Sequence, residues 1–161
     1  MSDYTIKPGL SPGTLVHVGR RKTGTPQLYL IEYDSHQLAE ARIGDPGEVE
    51  KQAKEAAVVW LNLDGLHDGD LITRIGTRFG IHPLTLEDIM NTDQRPKFET
   101  YDDYLFIVLK MLEYDEQNAR VLSEQVSLVL GRDFLVSFQE GEGDVFAPVR
   151  ERIRKSKGRI R

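Results

Sequence analysis

The chain has no cysteine, which excludes a disulfide framework and any thiolate metal site and fits a reducing compartment. Long hydrophobic runs are also missing. Unbroken apolar stretches such as Leu105 to Leu109 are far short of the roughly 20 residues a membrane span needs. The first residues, MSDYTIKPGL, lack the apolar centre of a signal peptide. No glycine-rich loop can cradle phosphate: G-x-G occurs only at Gly141-Glu142-Gly143, among acids that repel it. Ser11, Ser123 and Ser137 stand in no nucleophile-elbow context. His17, His36, His67 and His82 share no zinc-type spacing. Nothing supplies a catalytic constellation, so the sequence does not read as an enzyme.

What is present suits one folded domain. The chain has 161 residues and is 39% hydrophobic, enough for a single core. Its net charge of −5 is unevenly spread. Residues 148–161 hold seven of the 21 Lys/Arg and one of the 26 Asp/Glu, so this tail is near +6 and the body near −11. A basic tail suits nucleic acid or anionic lipid. Val149, Ile153 and Ile160 keep a helical spacing, however, and point to a helix with a basic solvent face. Lys157 to Arg161 carries no convincing terminator, so the helix is expected to continue in a longer protein.

Residues 1–13 read as a flexible lead, 14–143 as a mixed α and β domain, and 144–161 as the start of a long helix capped by Asp144. Strands are expected over Thr14–Val18, Gln27–Tyr33, His36–Ile43, Ala57–Leu63, Tyr104–Met111, Val121–Leu130 and Phe134–Phe138. The first two are expected to pair as a hairpin, and the last three to form an antiparallel meander. Glu48–Ala56 reads as a surface helix. Leu71, Ile72, Ile75 and Phe79 line one face of another, capped by Asp68 or Asp70 and stopped by Gly80. The acidic segment Asp64 to Asp70 fails calcium-loop spacing and reads as a capped turn. Asp102 and Asp103 are expected to face water, and Trp60, Tyr101, Tyr104 and Phe106 to lie in the core.

The chain is organised around residues 82–112. His82 and Pro83 open a short helix whose Leu86, Ile89 and Met90 share one side. Glu87, Asp88 and Asn91 point away from it, and Asn91 to Pro96 breaks it. Arg95 is expected to meet Glu99 or a carbonyl. Two outward acids supply the oxygen ligands that Mg²⁺ prefers but cannot complete a site, and a solvated helix face would look the same.

The ordered blocks HPLTLEDIMN, QRPKFE and YLFIVLKML, with the tail GEGDVFAPVRERIRK, resemble the CorA-type magnesium/cobalt transporter family in its cytoplasmic N-terminal domain. The resemblance implies an α/β/α sandwich with a mixed, largely antiparallel sheet. It implies a divalent-sensing domain in which Asp88, and Glu87 at an adjacent position, bind regulatory Mg²⁺, with Co²⁺ as an alternative ion, against acids of a neighbouring subunit. No organic cofactor is implied. Full-length relatives are implied to be homopentamers at the inner membrane, held there by C-terminal helices absent from this stretch, with this part on the cytoplasmic side and soluble. Two other readings stay open. One is a zinc-transporting relative on the same scaffold. The other is a soluble module binding nucleic acid or lipid through the basic helix, which the acidic body opposes.

Overall fold

A computed structural model describes residues 9, 11–19, 24–49, 58–141, 145–156 and 160. Seven strands form one sheet: β1 (Gln27–Tyr33), β2 (Leu38–Ile43), β3 (Val58–Asp64), β4 (Lys97–Thr100), β5 (Tyr104–Asp115), β6 (Arg120–Gly131) and β7 (Phe134–Gln139). Their spatial order is β2-β1-β3-β7-β6-β5-β4. Among the seven described strands only β3 and β7 pair in parallel, Val59 opposite Phe134 and Asp64 opposite Gln139; their other pairings are antiparallel. The interior strand β3 reads VVWLNLD because it is covered on both faces, so its apolar run is nearly unbroken.

Alternation along each strand sorts the core into two layers. Leu28, Leu30, Val59, Leu61, Leu63, Phe106, Val108, Val129, Val136 and Phe138 face α1 (Gly69–Phe79) and α2 (Pro83–Met90). On the opposite face Ile31, Trp60 and Leu135 meet Ile153 of α3 (Ala147–Arg154) and Phe146, whose ring stands edge-on to Trp60. The result is an α+β fold in three layers, helices above and below a mixed sheet. Further out on the second face, Phe98 of β4 is 60% exposed and Leu130 of β6 is 44% exposed. Beyond Val108 and Val126, β5 and β6 pair only with each other and project as a two-stranded arm.

Helix α1 has the expected ends. Asp68 Oδ1 accepts from the Leu71 N–H at 2.9 Å, and Gly80 closes the helix in the left-handed region at φ 65°. Leu71, Ile72 and Ile75 are buried as their spacing predicts.

Four expectations need correction or qualification. Thr14–Val18 is not a strand; Val18 makes one parallel bridge to Asn91, and β1 takes β2 as its hairpin partner instead. The short strand β4 went unread because four residues of alternating polarity carry little periodic signal. Within the described residues the last helix runs over Ala147–Arg154, with Lys155 as its C-cap and Ser156 at φ 48°. Its N-cap position is Phe146, without a side-chain cap bond; Asp144 lies outside the described residues. Most of the helix expected over Glu48–Ala56 also lies outside them, and only a 3₁₀ turn, Pro46–Glu48, capped by Asp45, is described there.

Candidate metal centre

Helix α2 is fixed from three sides. At its start His82 Nδ1 accepts from the Leu84 N–H at 3.2 Å, and Pro83 fills the first turn, where a missing N–H costs nothing. Below it, Thr85, Leu86, Ile89 and Met90 are buried on α1 and the sheet. Tyr104 of β5 receives the His82 N–H at 3.1 Å and shares a 3.0 Å hydrogen bond with the Thr85 hydroxyl. At its end, Val18 donates its N–H to the Met90 carbonyl at 2.9 Å and accepts from the Thr92 N–H at 3.0 Å. The segment 11–19 thereby straps the helix from outside. Gly19 lies in that strap at φ 130°, where an added Cβ would stand 2.0 Å from Thr92 Oγ1.

Glu87 and Asp88 lie on the outer side of α2, but neither is a freely solvated acid; both are half-buried. The Gly13 N–H donates to Glu87 Oε2 at 2.6 Å. Asp88 uses both oxygens: Gln94 Nε2 donates to Oδ1, and Lys97 Nζ lies 2.5 Å from Oδ2. The same ammonium reaches Glu99 Oε1 at 2.8 Å and stands 5.3 Å from the centre of the Phe106 ring. The Tyr101 hydroxyl donates to the other Glu99 oxygen at 3.1 Å. Burial disfavours the Lys97 charge, but the hydrogen bonds and negative charges of Asp88 and Glu99 outweigh it and hold the ammonium above the ordinary lysine range.

Glu99 is therefore matched by Lys97, where the sequence had suggested Arg95. Lys97, Gln94 and Gly13 were missed as neighbours of the two acids. Lys97 and Gln94 sit in the QRPKFE block, nine and six positions after Asp88, and periodicity says nothing about contacts made across a turn. The turn itself is pinned to the sheet: Lys110 Nζ donates to the Thr92 carbonyl at 2.5 Å, and Gln125 Nε2 to the Asn91 carbonyl at 3.1 Å.

Chemically this is a set of hard oxygen donors on a rigid short helix, which suits Mg²⁺-like cations that keep most of their waters. Among the described residues no three His, Asp or Glu side chains gather in metal-holding geometry. The Asp64–Asp70 segment is a capped turn, as expected. Asp68 holds the α1 N-terminus, and Asp64 Oδ1 accepts from Asn62 Nδ2 at 2.8 Å and Gln139 Nε2 at 3.0 Å. Nor is the basic face of α3 wholly solvated. Arg150 is buried, its guanidinium 5.3 Å from the Trp60 ring and 5.7 Å from the Tyr29 ring. Arg154 forks onto both Glu40 oxygens at 2.8 and 2.9 Å.

The profile of the family described as CorA-like Mg²⁺ transporter protein matches residues 55–161, well over half of the chain. The chain belongs to this family. It is 44% identical over 157 residues to the cobalt/magnesium transport protein CorA of Thermotoga maritima, covering 98% of this chain and 44% of that protein. The chain thus spans less than half the length of this relative. In fold it is similar to the soluble domain of CorA from Methanocaldococcus jannaschii, with a TM-score of 0.54 and 12% identity over 83% of this chain and 48% of that one. The ZntB cytoplasmic domain from Vibrio parahaemolyticus has the same TM-score, 0.54, at 14% identity over 82% of this chain and 51% of that one. Among the described residues no helix is long and apolar enough to cross a membrane.

Proposed function

We propose that this chain is the cytoplasmic, divalent-sensing part of a CorA-like magnesium/cobalt transporter at the inner membrane. Asp88 is the principal ligand and Glu87 serves an adjacent position. In the full-length protein each ion bridges these acids to acidic groups of a neighbouring identical subunit in a homopentamer. Abundant Mg²⁺ offsets the repulsion between acidic bodies and favours the closed assembly. Ion loss lets like charge part the subunits, because an ion biases the state that binds it better. The observation that carries this reading is a pair of adjacent, half-buried carboxylates, each with a hydrogen-bonding partner, on a short helix of a chain in an Mg²⁺-transporter family. The all-oxygen donor set favours Mg²⁺ over zinc, which prefers nitrogen and sulfur.

The test is thermal unfolding of the chain and of Asp88→Asn in rising Mg²⁺, Co²⁺ and Ca²⁺ at several protein concentrations. A ligand confined to the folded state stabilises it by roughly 1.4 kcal/mol at ten times its Kd. The expected result is stabilisation at millimolar ion that grows with protein concentration and is lost in Asp88→Asn. An equal response from Asp88→Asn refutes the reading.

A further inference from the structure

We infer that Lys97 is a tethered counter-ion that a divalent cation must displace from Asp88, so that the lysine sets the ion concentration at which the site fills. The inference rests on the metal reading above and assigns its regulation. Three observations carry it. The Lys97 ammonium lies against Asp88 Oδ2 at 2.5 Å and Glu99 Oε1 at 2.8 Å, so one cation already serves both carboxylates. The remaining Asp88 oxygen accepts from the Gln94 amide, so both carboxylate oxygens already have a partner on the turn side. The lysine has somewhere to go: its stem starts at the first residue of β4, and Glu99, two residues along the same strand, retains it when Asp88 is given up.

The consequences are those of an ion exchange. Binding at Asp88 gains the attraction of the incoming ion and loses that of the ammonium. A monovalent ion replaces one unit of charge with another and gains little. A divalent ion doubles the charge at the same oxygen and wins. The tether thus weakens the site for Mg²⁺ and rejects Na⁺ and K⁺. Asp88 and Lys97 are each a little over a quarter exposed, so the pair belongs near the upper end of the range for surface ion pairs, about 1 kcal/mol or roughly five-fold in affinity.

The experiment titrates Mg²⁺ into the 161-residue chain and into Lys97→Gln, Lys97→Arg and Asp88→Asn, reading the unfolding midpoint. In the unsubstituted chain, Lys97 acylation by a small active ester is mapped by mass spectrometry, with Lys110 as internal reference. Lys97→Gln is expected to lower the half-effective Mg²⁺ concentration about five-fold and Lys97→Arg to leave it within two-fold. Mg²⁺ is expected to raise Lys97 acylation several-fold over Lys110, as Asp88→Asn does without metal. If Asp88→Asn loses the Mg²⁺ response while Lys97→Gln keeps the parental midpoint and Mg²⁺ leaves Lys97 acylation unchanged, the tether is refuted and the metal reading stands. If Asp88→Asn keeps the full Mg²⁺ response, both fall. Should Lys97→Gln fail to fold, the acylation of the unsubstituted chain decides alone.

Discussion

Replacing Gly76 with alanine tests what positions the candidate site. Gly76 lies on the buried side of α1 where α2 crosses it. A Cβ there would stand 2.3 Å from Leu86 Cδ1, 3.0 Å from Cδ2 and 3.1 Å from Cγ. Leu86 is 5% exposed and cannot swing into water, so either its side chain leaves its rotamer or α2 moves outward. Overpacking of this kind costs about 1–3 kcal/mol, and alanine returns about 1 kcal/mol of helix propensity, leaving a net loss of about 0–2 kcal/mol. Leu86→Ala alone should cost about 2–5 kcal/mol as a cavity. Because each change relieves the other, the double variant should be more stable than the sum of the singles predicts by at least about 1 kcal/mol. Urea unfolding of the four proteins measures the coupling. Gly76→Ala stabilising the chain, together with additive energies, would show that the two helices do not meet tightly and that Gly76 does not hold α2.

Two further predictions concern the sheet. Ser137→Ala removes the acceptor of the Trp60 indole N–H, bonded at 2.8 Å, and the donor to Asn62 Oδ1 at 2.6 Å; leaving both buried groups unmatched should cost about 2–3 kcal/mol, read by denaturant unfolding and by a shifted Trp60 emission. Glu32 is buried in β1 with Oε1 lacking a hydrogen-bond partner, and burial raises its carboxyl above the ordinary 4.5. The folded state therefore binds the proton more tightly, so this residue's cost is absent below about pH 4, grows as pH rises through the ordinary value, and is complete above the raised one. Glu32→Gln should accordingly be more stable than the parent at pH 7, by on the order of 1 kcal/mol, and indistinguishable at pH 4; a pH-independent difference would count against this account.

Much of this could be read from residues alone because the signals were local. The α1 ends follow from Asp68 and Gly80, and α2 from Pro83 with Leu86, Ile89 and Met90. The β5–β6–β7 meander follows from short turns between β-branched runs. The failures were non-local. Thr14–Val18 has the composition of a strand, yet what fixes it is a bridge to Asn91, 73 positions away in sequence, and composition cannot reveal that partner. Glu87 and Asp88 were recognised as the informative acids, but their spacing predicted solvated side chains. Their true neighbours come from a strap before the sheet and a turn after the helix. Arg150 shows the same limit, since a basic residue at a helical position looks solvent-facing until two aromatic rings from other strands are found beneath it.

The single parallel pairing of β3 with β7 has a consequence for how the molecule comes to be. β1–β2 and β4–β5–β6–β7 are ladders of sequence neighbours that can zip by short hairpins, and β3 joins β1 across the 25 positions from Tyr33 to Val58, whereas joining the two halves brings Asp64 to Gln139 across 75 positions. Closing so long a loop comes at an entropic cost before any of its contacts form, so topology predicts that this seam forms late in folding. Everything between the two strands, including α1, α2 and the Asp88–Lys97 pair, is carried inside that loop. A ribosome must therefore deliver the chain through β7 before the helix bearing Glu87 and Asp88 has a finished sheet to rest on. Substitutions along the seam would delay the candidate site without touching it.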